Sequence, residues 1–200
     1  ARRKLAARLD EMRRANPGHR IRSGALARLR SAPVRTELSA NLVVLCRSLE
    51  QLRTTIEEKV AQIECDFEDI RLYRDAVALA HAGGSEILLA PPRIHRPGET
   101  GILKLLLGCA PDGILVRSTA HLAFYGDTGL RLVGDFSLNA ANELTADWLF
   151  SKRLARIVPS YDLNWDQMQA FLSRVDPGLC EITVHQQMPM FHNEHCIIAA

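Results

Sequence analysis

The sequence predicts a parallel (β/α) barrel, and three observations carry that prediction. From residue 41 onward, short apolar runs alternate with amphipathic stretches of helical period. The runs are apolar almost without interruption, as expected for strands covered on both faces. No glycine-rich phosphate loop follows the first run, where Cys46-Arg47-Ser48-Leu49 stands instead, which argues against an open dinucleotide-binding sheet.

The strands are read at 42–46, 62–67, 86–92, 113–118, 130–137, 156–162 and 180–185, seven in all. Each is followed by a helix, a pattern that calls for parallel pairing through right-handed crossovers. Ser48 opens the first of these helices with Gln51 in the capping-box place, and Asn164 opens the last with Gln167. Between them lie helices at 69–82, closed by Gly83-Gly84, and at 101–108, 119–125 and 142–153. The barrel domain spans 41–200 and is expected to be truncated at its C-terminal end, with an eighth strand beyond it or absent.

Residues 1–40 differ in character and read as a basic helical arm or linker. They hold eleven Lys/Arg against three Asp/Glu, whereas residues 41–200 hold fourteen against twenty. A basic arm of about +8 thus precedes an acidic body of about −6, a split that hints at an anionic partner. Residues 2–15 place Leu5, Leu9 and Met12 on one helical face, and Asn16-Pro17-Gly18 stops the helix. A short strand pair is expected within 20–33. Ala1 in place of Met, and the apolar close at Ile197–Ala200, suggest a piece of a longer protein. With no apolar run of membrane-spanning length and no secretory leader, the expected compartment is the cytoplasm, away from membranes.

Five cysteines are present at irregular spacings without a CxxC, which does not describe a disulfide framework. Cys46, Cys65, Cys109 and Cys180 lie in apolar runs and read as small hydrophobes. Cys196 stands apart.

In a barrel of this class the chemistry sits at the C-terminal ends of the strands. Those ends carry Arg47; Asp66 and Glu68; Arg93; Arg117 and Ser118; Asp135, Ser137 and Asn139; Ser160, Asp162 and Asn164; then His185, Gln186 and Gln187. The mixture suits a small anionic or amphoteric group. Asn142 and Asn164 are accounted for as helix caps. Capping explains Arg117, Asp135 and His185 poorly, so these three are the catalytic candidates. Arg47, Arg93, Ser137, Asn139 and Asp162 are the candidates for holding substrate.

The densest chemistry lies in His185-Gln-Gln-Met-Pro-Met-Phe-His192-Asn-Glu-His195-Cys196. Imidazole and thiolate bind zinc or iron, and cysteine also holds iron–sulfur clusters. The spacing H-x6-H-x2-H-C matches no closed zinc pattern. His192, His195 and Cys196 are therefore candidate metal ligands, with a histidine-rich loop and a packed cysteine as the alternative.

The segments Leu42–Glu50, Asp66–Asp69, Pro91–Ile94, Gly134–Asn142, Pro159–Asn164 and above all Val184–Cys196 resemble the collagenase-like peptidases of family U32, in particular the long bacterial members, over roughly residues 41–200. The resemblance implies a barrel. It also implies that Cys196 is one of four cysteines that in several members hold a four-iron four-sulfur centre, with the others mostly downstream. Pro189 stands where many relatives carry a further cysteine, so a ligand at that position is excluded. The family label is protease, while better understood relatives hydroxylate transfer RNA, ribosomal RNA or the ubiquinone ring without oxygen, some using prephenate as the oxygen source. Neither GxSxG nor HExxH occurs.

Three functions follow as expectations. The first is an iron–sulfur hydroxylase of RNA or a small aromatic, with a dicarboxylate co-substrate at the arginine-lined mouth and RNA phosphates on arm residues 2–30. The second is a metal-dependent peptidase with zinc on His185, His192 and His195 and Glu194 or Asp135 as base. The third is a non-catalytic RNA-binding or assembly module.

Overall fold

The computed structural model describes residues 2–14, 24–30, 35–36 and 39–187. Two compact units are present, residues 1–31 and 32–200. In the first, α1 spans Arg2–Arg14 and α2 spans Ala25–Leu29. The helix at α1 agrees with the sequence reading, and Leu5, Leu9 and Met12 are exposed on it. The strand pair expected within 20–33 is corrected at 25–29, where the Ala/Leu-rich ALARL forms a helical turn instead.

The second unit is built on one six-stranded parallel sheet in the order β1-β2-β3-β4-β5-β6. The strands are β1 Val43–Cys46, β2 Gln62–Cys65, β3 Glu86–Leu89, β4 Gly113–Val116, β5 Arg131–Gly134 and β6 Arg156–Ile157. The helices are α3 Leu49–Glu57, α4 Tyr73–Ala82, α5 Thr100–Gly108, α6 Thr119–Tyr125, α7 Glu143–Ser151 and α8 Trp165–Arg174. A strand order that follows chain order has no switch point, which excludes the doubly wound alternative. The sheet curls into half of a barrel.

Its two faces are unlike. The outer face packs Ile63, Cys65, Ile87, Leu89, Ile114, Val116, Leu132 and Ile157 against helix residues such as Leu52, Ala76, Leu103 and Leu149 in one core. The inner face holds a small separate cluster, Leu88, Ala90, Leu115 and Val133. Glu64 stands in register with Leu88, and because side chains alternate along a strand, the residues two positions on from Glu64, Leu115 and Val133 also face inward. Asp66, Arg117 and Asp135 are brought to one mouth in this way.

The helix starts were legible. Ser48 accepts from Gln51 N–H at 3.2 Å, although Gln51 Oε1 accepts from Arg47 N–H rather than from Ser48. Asn142 caps α7, and Asn164 and Gln167 form the full capping box of α8. Cys46, Cys65 and Cys109 are buried as expected.

The seventh strand is a correction. Residues 180–185 contribute a single parallel bridge, Ile157↔Cys180, and Glu181 N–H donates to Ile157 O at 2.9 Å. Beyond Glu181, Ile182 and Val184 are exposed at 44% and 88%, so the segment lacks the burial that would hold it in a sheet. The other strands are also shorter than read. Pro91 and Pro92 offer no N–H to extend the ladder past β3, and Phe136–Leu138 leaves β5 as a 3-10 turn. Among the described residues, no helix is long and apolar enough to cross a membrane.

Gly113 lets neighbouring strands approach on the inner face. A Cβ there would lie 2.4 Å from Arg131 O and 3.0 Å from Leu88 Cγ. Gly113→Ala should therefore cost about 1–3 kcal/mol, the cost of overpacking a tight core. A fall in the midpoint of urea unfolding measures it, and an unchanged midpoint would contradict the close approach.

Candidate functional site

The mouth is organised around one buried guanidinium. Arg117 follows β4 and is 7% exposed. It donates to Asp66 through a fork, Nη1 to Oδ1 at 2.7 Å and Nη2 to Oδ2 at 2.5 Å. Its Nε lies 3.7 Å from Asp135 Oδ2, and Asp135 is 5% exposed. Asp66 follows β2 and Asp135 follows β5, so this one side chain ties three strand ends together. The ladder carries on past those strands to hold the backbone in place. Asp66 N–H donates to Cys46 O at 2.9 Å, and Asp135 N–H to Val116 O at 2.8 Å.

Charge follows from this geometry. Burial alone would raise the Asp66 carboxyl, but the hydrogen bonds and charge of Arg117, helped by Arg47 and Arg93, outweigh it and hold Asp66 below its usual value. Burial acts against the Arg117 charge, and Asp66 and Asp135 restore it with a net rise. Asp66 thus stays ionised at neutral pH.

Several side chains position this group. Tyr73, fully buried at the start of α4, donates its hydroxyl to Ala90 O at 2.7 Å and accepts from Phe67 N–H at 3.1 Å, which stitches the ends of β2 and β3 together. His121 on α6 accepts the Arg117 backbone N–H at Nδ1, 3.1 Å away. Burial, then His95 and Arg117, push the His121 imidazolium down to about 4, so the ring is neutral and accepts at Nδ1. Ser137 donates to Asp135 Oδ2 at 2.7 Å, with Arg117 O an alternative acceptor at 3.1 Å.

Arg93 and Arg47 lie at the rim. The Arg93 guanidinium stacks 4.7 Å over the Phe136 ring, which meets Tyr161 edge-on at 4.7 Å. Both arginines act on the charge of Asp66, yet neither forms an ion pair among the described residues.

The sequence-predicted residues divide accordingly. Arg117, Asp135 and Ser137 form one cluster with Asp66, and Arg47 and Arg93 flank it. Asn139 is exposed and ends the 3-10 turn in a left-handed conformation, φ 52°, a backbone role that asparagine fills well. Asp162 is exposed, and its N–H donates to Ser160 Oγ at 3.4 Å. His185 does not join the cluster. Without a seventh strand to carry it to the mouth, it is exposed on the segment after Glu181 and lines a shallow groove with Pro159, Tyr161, Leu163 and Met168.

His192, His195 and Cys196 lie outside the described residues. Among the described residues no group of three His, Cys, Asp or Glu could hold a metal ion. Burial pushes the thiols of Cys46, Cys65 and Cys109 up, to beyond the titratable range for Cys65, and takes Cys180 up to about 12. Buried thiols of which no three are grouped among the described residues do not fit an iron–sulfur cluster. Sequence reasoning missed Tyr73, whose signal was a tyrosine on an apolar helix face, and His121, whose signal was its place four residues after Arg117.

These elements define a βα half-barrel with a charged mouth. In fold, the chain is similar to the structure of the U32 peptidase Mk0906, with a TM-score of 0.56 at 16% identity, covering 74% of this chain and 70% of that one. A candidate fructose-1,6-biphosphate aldolase from Coccidioides immitis gives a TM-score of 0.49 at 14% identity, covering 79% of this chain and 65% of that one. Only the first bears on the fold, which it shows to be U32-like. No protein-family model and no curated protein match the chain.

Arg117→Met should cost on the order of 3–5 kcal/mol at neutral pH, because it strands two carboxylates in a buried place. The contribution of Asp66 to wild-type stability is present above its ordinary value of 3.8 and lost as pH falls through its lowered folded value. The deficit of the variant should therefore shrink in acid. Denaturant unfolding from neutral to acid pH measures this, and a deficit independent of pH would contradict it.

Proposed function

We propose that this chain is the substrate-binding part of a U32-like barrel enzyme that takes a small anionic or amphoteric molecule, such as a dicarboxylate, at its mouth. The observation that carries the reading is the pair Arg47 and Arg93, two cations beside Asp66 with no ion-pair partner among the described residues. Arg117 spends both terminal nitrogens on Asp66 and turns its Nε toward Asp135 at ion-pair distance, without a hydrogen bond, so its part is to fix those carboxylates rather than to receive the ligand. The two rim arginines would hold the anionic end, and the carboxylates would accept hydrogen bonds from a donor group on the same molecule. The stacked Arg93–Phe136–Tyr161 set offers a face for an aromatic portion.

For the reaction we propose iron–sulfur-dependent, oxygen-independent hydroxylation of RNA or a small aromatic. Its support is the Cys196 motif and the U32-like fold. The described cysteines do not fit such a cluster, so the proposal rests on Cys196 and on the further cysteines that the family resemblance implies. Phosphates of an RNA substrate would lie along the basic residues of the arm, 2–30.

Succinate serves as the dicarboxylate probe. Titration calorimetry should show that Arg93→Ala and Arg47→Ala each weaken its binding about tenfold or more, which is about 1.4 kcal/mol. Arg153→Ala, which removes a surface pair with Asp127, should not change it. Equal affinity in all three variants would overturn the assignment of the mouth.

The redox reading has a separate test. The full-length protein purified without oxygen should carry iron and absorb broadly in the visible, and Cys196→Ala should lose both. Iron that is absent from the parent or unaffected in the variant would remove the hydroxylase. Zinc in place of iron would favour the peptidase.

A further inference from the structure

The interior of the half-barrel holds a polar group that the mouth does not use. Glu64 sits within β2 on the inner face, one pleat below Asp66, and is 6% exposed. Gln62, one pleat lower again, is 7% exposed. Glu181 reaches them from the far edge of the sheet, its side chain 13% exposed. Arg156 of β6 joins the set, with Nη2 at 3.0 Å from Glu181 Oε1 and 2.5 Å from Gln62 Oε1. Glu64 Oε1 is buried without a hydrogen-bond partner, and Glu181 Oε1 has the ion pair with Arg156 but no hydrogen bond.

Charge and hydrogen bonding point to what is missing. Two carboxylates here have one arginine in contact, and burial makes a second ionised carboxylate costly. When both are ionised they are acceptors only and cannot bond to each other. One proton would let the Glu64 carboxyl, whose Oε1 is buried without a hydrogen-bond partner, and the Glu181 carboxyl share a charge-assisted hydrogen bond. The surroundings favour holding it. Burial is the largest influence keeping Glu64 protonated; Glu181 and Asp135 act the same way, and Arg156 and Arg117 act against it. Burial also raises Glu181, opposed by Arg156. Cys65, the adjacent titratable group, faces the helix layer and stays a neutral thiol. No set of three metal-ligating side chains lies among the described residues, so a proton is the smallest occupant that satisfies the pair.

Among the described residues Glu181 is also the last one tied to the sheet. Its N–H bonds to Ile157 O, and the following residues through His185 are exposed. We propose that Glu64 and Glu181 share one proton and form a pH-sensitive latch that holds residues 181–187 on the half-barrel and releases them as pH rises. The latch goes beyond the reading of the mouth and does not depend on it. The sign follows from linkage. The closed pair binds a proton that the opened glutamates, with ordinary values near 4.5, do not. Opening therefore becomes more favourable by about tenfold per pH unit above that value, until the closed pair itself deprotonates.

Two measurements on the whole chain test this. In a carboxyl carbon NMR titration, one carboxyl of the pair should titrate far above 4.5, the ordinary value. Limited proteolysis within residues 182–187 should accelerate over the same pH interval, because cleavage follows the open population. Glu64→Gln keeps a donor for Glu181 without a titrating proton, so it should abolish the pH step and keep the segment protected at neutral pH. The latch is overturned if both carboxyls titrate in the ordinary range, if cleavage has no pH step, or if the step persists in Glu64→Gln. Should that variant not fold, the wild-type titration alone decides.

Discussion

A guanidinium buried as deeply as Arg117 keeps its charge, so the chain around it must supply carboxylates in fixed positions. The fold does so by strand parity. Glu64 and Asp66, Leu115 and Arg117, Val133 and Asp135 each lie two residues apart on one face, and the parallel register brings the outer members together. The ends of β2, β4 and β5 are thereby fastened by side chains at the point where their ladders stop. Tyr73 and His121 add a second set of ties from the helix side, each bonding to backbone at the same level.

This arrangement differs from a closed barrel, whose interior is filled by layers of branched apolar side chains. Here the inner-face cluster of buried apolar residues is small: Leu88, Ala90, Leu115 and Val133. Above it stand Asp66, Arg117 and Asp135. Below and beside it stand Gln62, Glu64 and Arg156, and at the lower rim Glu86 pairs with Arg131 at 2.5 Å. The stability of the unit rests on the larger core between sheet and helices, where the fully buried leucines, isoleucines and tyrosines lie. The inner face is left to carry charge.

The sequence made the outer architecture readable because buried parallel strands write themselves as apolar runs and helix starts write themselves as caps. Six of the seven expected strands form, and Ser48, Asn142 and Asn164 cap as read. The seventh could not be judged from CEITVH, since a β-rich hexapeptide reads as a strand whether or not burial holds it. Strand parity placed Asp135 and Arg117 correctly, but no local pattern reports a distance between strands. It therefore did not say that Arg117 pairs with Asp66 and Asp135, or that Arg47 and Arg93 stand at the rim without an ion pair among the described residues. Glu64 and Gln62 had a visible signal, two polar residues inside an otherwise apolar run. Their partner Glu181 had none, because its approach depends on the curl of the sheet.

The mouth and the interior share one electrostatic balance. Glu64, Asp66, Asp135 and Glu181 face Arg117 and Arg156 within the curl of the sheet, four carboxyls against two guanidiniums. Two things offset the excess negative charge: Arg47 and Arg93 at the rim, and a proton on the Glu64–Glu181 pair. The two are not independent, since Asp135 and Arg117 act on Glu64 as well as on the mouth. On the proposed readings, an anion seated between Arg47 and Arg93 cancels part of their field. The interior then becomes more negative and holds its proton more firmly. By linkage, a firmly held proton favours the anion by the same factor. Occupancy of the mouth and closure of the segment after Glu181 would then reinforce each other, with no contact required between them.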